Sequence, residues 1–108
     1  MESEVKPFLT ESAVEYATQS IVSKTIIKKS TGTVTLFAFD KGEQLSEHTA
    51  PFEALVQVID GEAGIKIGSN EYVVRHGEAI ILPANIPHSV NANERFKMIL
   101  TVIKSGYE

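Results

Sequence analysis

GEQLSEHTAPFEALVQVIDG (residues 42–61) and GEAIILPANIPHSVNA (residues 77–92) decide how this chain is read. Each opens on a glycine, carries one histidine (His48, His88) and holds a short apolar run. Neither run repeats every 3.6 residues, so neither reads as a helix. Working outward, the same pattern recurs: short apolar runs separated by Gly, Asn, Asp and Pro. The expected strands are 21–28, 33–39, 54–59, 63–67, 72–74, 79–82, 87–92 and 96–103. Asp60-Gly61 is expected to turn one hairpin and Gly68-Ser69-Asn70-Glu71 the next, because glycine takes positive φ cheaply.

Several strands are apolar on both faces, with Val34, Leu36 and Ala38 alternating against Phe37 and Phe39. Neither face can then be left to water. A closed barrel or two-sheet sandwich answers this if an N-terminal arm or a second subunit covers its outside. A homodimer is the expected consequence. Residues 1–12 are expected to form the arm, and Ser12-Ala13-Val14-Glu15 fits a capping box that would open a helical turn.

With 108 residues, one domain is expected, and 43% hydrophobic against 22% charged residues is a globular balance. The net charge of −4, with scattered Lys and Arg, disfavours nucleic-acid binding. No apolar run approaches a membrane span, and MESEVKPF lacks signal-peptide character, so a cytoplasmic protein without membrane contact is expected. Without cysteine there is no disulfide, thiolate nucleophile or thiolate metal site. Serine-elbow, P-loop, dinucleotide and zinc-protease helix patterns are missing from the sequence.

Gly42, His48 and Gly61, followed by Gly77, Pro83 and His88 with 15 residues between Gly61 and Gly77, resemble the paired motifs of the cupin superfamily. LSEHTAPFEALVQVIDGEA, ILPANIPHSV and RFKMILTVI are similar to small one-domain prokaryotic cupins over about residues 20 to 103. The resemblance implies an all-β double-stranded β-helix, the RmlC-like jelly-roll barrel, with a short N-terminal arm.

In metal-binding cupins, two histidines and a glutamate of the first motif join the histidine of the second. His48 matches the first of these and His88 the last, whereas Ala50 stands at the second histidine position and Ala54 at the glutamate position. Two imidazoles hold a divalent ion weakly. Glu53 would complete a two-His-one-carboxylate set for iron, manganese, nickel or zinc, provided Pro51-Phe52 bends the chain enough to turn it inward.

Three readings follow. The first is a small-molecule-binding cupin whose cavity holds His48 and His88, with Phe52 and Gln57 as further ligand contacts. A second is a metal-dependent oxygenase or isomerase using His48, His88 and Glu53. The third is a non-catalytic protein acting through its dimer surface. A histidine could also serve as a general base oriented by Glu47 or Glu53. His76, in a turn, is read as solvated, and Phe37, Phe39, Tyr72 and Met98 as core.

Overall fold

The computed structural model describes residues 5–106. The expected arm at 1–12 therefore lies outside the described residues over its first four positions. Eight strands follow a short 3-10 turn at Thr10–Ser12: β1 (Ile21–Lys29), β2 (Gly32–Phe39), β3 (Gln44–His48), β4 (Glu53–Ile67), β5 (Asn70–Arg75), β6 (Ala79–Leu82), β7 (His88–Asn91) and β8 (Phe96–Ile103). Ser12 ends the 3-10 turn instead of capping a helix, and its backbone N–H donates to the Leu9 carbonyl. Too few apolar residues follow at helical spacing to reward a longer helix.

All pairings are antiparallel. One sheet runs β1-β2-β8-β4-β6 and the other β3-β7-β4-β5, so β4 belongs to both. This corrects the expected Asp60-Gly61 hairpin: residues 54–59 and 63–67 are one strand, and the register shift between Val58 and Asp60 is a bulge. Gly61 has φ +71, and a Cβ there would collide with the Arg95 carbonyl oxygen. The residue pair that makes tight hairpins also suits a bulge, because both need positive φ. The bulge carries the chain around the barrel corner. The loop from β5 to β6 clamps it, with His76 N donating to Gly61 O, Gly77 N to Val58 O, and Val58 N to Glu78 O.

The true hairpin is at Gly68-Ser69, where Ile67 pairs Asn70 and Gly68 has φ +60. Between the sheets lie Phe39, Val56, Val58, Ile65, Phe96 and Met98, all essentially without solvent contact. The rings of Phe39 and Phe96 stack with centroids 4.5 Å apart. A second cluster lies outside the five-stranded sheet, where Leu36 and Ala38 are buried beneath Val14, with Ala13 and Tyr16 packed alongside. The residues that cover the outer face thus fall just past the stretch expected to be the arm.

Tyr16 fastens this cover. Its hydroxyl donates to Asp60 Oδ2 at 2.6 Å, Arg95 and Lys97 lie 4.6 and 4.8 Å from its ring centre, and the Lys97 ammonium donates to the Glu11 carbonyl. The free edge of β1 carries Lys24, Lys28 and Lys29 and a register break between Thr25 and Ile27. Charges and a bulge of this kind discourage strand addition at an open edge.

Candidate functional site

Strand β3 is absent from the expected strands because it is mostly polar and exposed, yet it brings the two histidines together. Leu45 pairs Val90 and packs inward; after a register break, His48 pairs His88. Directly opposite residues of antiparallel strands share a face. His88 and Val90 face the interior, so His48 joins them at the end of the barrel. The ring centres are 4.4 Å apart, with one ring edge toward the other's face at 68°.

Each ring is held by a backbone carbonyl two residues upstream: His48 Nδ1 lies 2.9 Å from Ser46 O, and His88 Nδ1 lies 3.3 Å from Ile86 O. A carbonyl can only accept, so in both cases Nδ1 carries the proton and donates it. In the neutral ring Nε2 is then left as the lone-pair nitrogen. Backbone carbonyls leave no mark in sequence motifs, so Ser46 and Ile86 were not foreseeable as site residues. The loop bearing Ile86 is tied to the first motif by Asn85 N, which donates to Ala50 O, and Asn85 has φ +67.

His88 is buried and His48 exposed. Burial pushes the His88 imidazole below the ordinary value. The Ile86 carbonyl opposes that shift, and repulsion from His48 adds to it. His88 is therefore neutral at physiological pH.

The other expected site residues lie elsewhere. Along β4, Ala54, Val56 and Val58 pack into the interior, so Glu53, Leu55 and Gln57 alternate to the outer face. Glu53 borders a 200 Å³ hollow with Leu55, Ile81 and Ile103. The bulge that could have redirected it occurs at 58–60, after Glu53 instead of before it. Gln57 is exposed on the same outer face, away from the barrel interior. Phe52, in the bend before β4, has the Lys104 ammonium 6.0 Å from its ring centre. The larger hollows among the described residues also lie away from the histidines: 480 Å³ between the arm and β1, and 410 Å³ between β5 and β6.

No three His, Asp or Glu residues among the described ones converge as a metal set. The cupin arrangement would need a carboxylate where Ala54 stands and an imidazole where Ala50 stands. Among the described residues the donors brought together at this end are two imidazoles, and they do not fit a resident transition metal. The expected ligand set of His48, His88 and Glu53 is not assembled.

The family profile described as Cupin domain matches residues 35–104. The chain belongs to the cupin family. Among solved structures, this cupin resembles the conserved SPY1581 protein of unknown function from Streptococcus pyogenes at 31% identity, covering 97% of this chain and 92% of that one with a TM-score of 0.91. The Cupin 2 conserved barrel domain protein from Leptotrichia buccalis is 44% identical with a TM-score of 0.84, over 87% of this chain but 46% of that longer one. A cupin superfamily protein from Desulfitobacterium hafniense shares the fold at 23% identity and TM-score 0.88, covering 94% of this chain and 93% of that one. No curated protein matches this cupin.

Proposed function

We propose that this cupin binds a small molecule at the histidine end of its barrel without a resident metal, and that the ligand presents hydrogen-bond donors there. The supporting observation is the pair of imidazoles whose Nδ1 protons are taken up by the Ser46 and Ile86 carbonyls. Two neighbouring Nε2 lone pairs attract hydroxyl, amine or amide N–H groups, and burial keeps His88 in that accepting form. Ala50 and Ala54 add no ligand atom of their own, so the imidazoles are the polar groups this reading rests on. The inward alternation of β4 puts Ala54 on the interior face, opposite Leu82 and Val102.

Thermal-shift screening against polyols, hydroxy acids, amines and amides tests this, since binding to the folded state alone raises the melting temperature. A hit whose shift disappears in His88→Gln and in His48→Gln supports the reading. Hits that survive both substitutions would place the ligand elsewhere and overturn it. Near-stoichiometric metal, retained through chelator-free purification and lost in His48→Ala, would replace it with the metal-dependent alternative. A screen without hits would favour a protein acting through its surface.

A further inference from the structure

The outer face of the four-stranded sheet carries a hollow that the barrel itself does not explain. Ala63, Ile65, Val74 and Val90 are buried inward, so strand alternation turns Gly64, Lys66, Glu71, Val73 and Asn91 outward. Cross-strand partners set Val73, Gly64 and Asn91 in one row and Glu71, Lys66 and Ser89 in the next. A 310 Å³ hollow opens over these rows, with Asn93 also in its wall. Gly64 is the middle residue of its row, and no feature of the fold calls for a glycine there. Its backbone is outside the left-handed region. A Cβ would sit 3.4 Å from the Asn91 carbonyl oxygen and 3.7 Å from the Asn93 amide nitrogen, which are ordinary contact distances. A glycine in mid-strand weakens the strand, because it loses more chain entropy and packs no side chain. What it offers in return is close approach to the sheet for something outside the chain.

The side chains around the hollow are uncommitted. Neither the Asn91 nor the Asn93 carboxamide makes a hydrogen bond within the described residues. Lys66 and Glu71 stand directly opposite each other, a placement that normally joins cation to anion across two strands. Two rows along the same strands, Arg75 and Glu62 do meet, with Nε and Oε1 3.8 Å apart. Lys66 and Glu71 form no such pair among the described residues. An ammonium, a carboxylate and two carboxamides therefore surround one glycine-floored hollow with their hydrogen-bonding capacity unspent on the chain.

We propose that this hollow is a second ligand site, and that it takes a neutral polyhydroxylated molecule the size of one sugar ring. The charges of Lys66 and Glu71 cancel, so the hollow has no net field to gather an ion. Each hydroxyl both donates and accepts a hydrogen bond. That suits a wall in which Glu71 accepts, Lys66 donates and the two carboxamides do both. Val73, 49% exposed beside Gly64, gives an apolar flank for the C–H face of a ring. The volume of 310 Å³ falls at the small end of the roughly 300–1,000 Å³ of small-molecule sites. The hollow shares no residue with the histidine end, which faces the interior of the same sheet.

Amide NMR of the isotope-labelled protein, titrated separately with glucose, galactose, mannose, myo-inositol and free alanine to tens of millimolar, tests the proposal. At least one of the four polyols is expected to shift the amides of residues 64–66, 71–73 and 91–93. Gly64→Val, which fills the hollow from an outward strand position, and Asn93→Ala should each weaken that titration by at least about tenfold. Lys24→Gln, on the other sheet, should leave it unchanged. Gly64→Ala should keep or raise the melting temperature of the unliganded protein, since the fold does not need the glycine. A lower melting temperature would return Gly64 to a structural role and overturn the proposal. Shifts confined to residues 44–48 and 86–88 would assign the polyol to the histidine end instead. Shifts that survive both Gly64→Val and Asn93→Ala would refute the site, and silence from all four polyols, or a response to alanine alone, would refute the ligand class.

Discussion

The buried imidazole of His88 makes the protein's stability depend on pH in a definite direction. Its folded value lies below the ordinary one of about 6.5, so in the window just below 6.5 the unfolded chain binds more protons. Stability therefore falls as the pH drops through that window and levels off below the folded value. Melting temperatures measured between neutral and mildly acidic pH should fall more in the wild type than in His88→Gln, and equal slopes would contradict the assignment. Gly61 is a second residue with an outsized effect, since its positive φ and the Arg95 carbonyl both exclude a side chain. Gly61→Ala is expected to cost about 2–4 kcal/mol in denaturant unfolding. The histidine pair was legible in the sequence because glycine, proline and histidine spacing is a side-chain pattern. The direction of Glu53 followed from strand alternation, once Pro51-Phe52 proved to be a bend leading into the strand and not a bulge within it.

Among the elements, the segment around Tyr16 has the clearest energetic signature. Burial, reinforced by the hydrogen bond to Asp60, raises the Tyr16 phenol well above its usual value, while Arg95 pulls the other way. A raised folded value means that the tyrosine's contribution is complete below the unfolded value of about 10 and is lost as the pH climbs toward the folded one. Alkaline destabilisation beginning near pH 10 should therefore be weaker in Tyr16→Phe, read as the slope of melting temperature against pH. At neutral pH the same substitution should cost roughly 1–2 kcal/mol, because it leaves a half-buried carboxylate without its donor. This cover was partly legible: two-faced apolar strands demand one, but nothing local shows that residues 13–16 supply it. Strand β3 escaped notice for the opposite reason. Leu45 is its one inward apolar residue, and the strand exists through pairing with β7.

At the scale of the molecule, the sharing of β4 between sheets binds both into one cooperative unit. Far-ultraviolet and tyrosine near-ultraviolet circular dichroism should report a single coincident transition in denaturant, and two separated midpoints would show that the sheets melt independently. The all-β character was readable from alternation on both faces, while the order of strands depends on contacts that no local pattern encodes. Those distant contacts also set the tempo of folding. Strand β2 pairs β8 along its full length, Gly32 with Ile103 through Phe39 with Phe96, so the sheet cannot close until nearly the whole chain has been gathered. Topologies of this kind fold on the order of milliseconds to seconds. Throughout that wait the apolar β1 lies open beside other chains, and Lys24, Lys28 and Lys29 are the gatekeepers that slow its capture by a neighbour before β2 arrives.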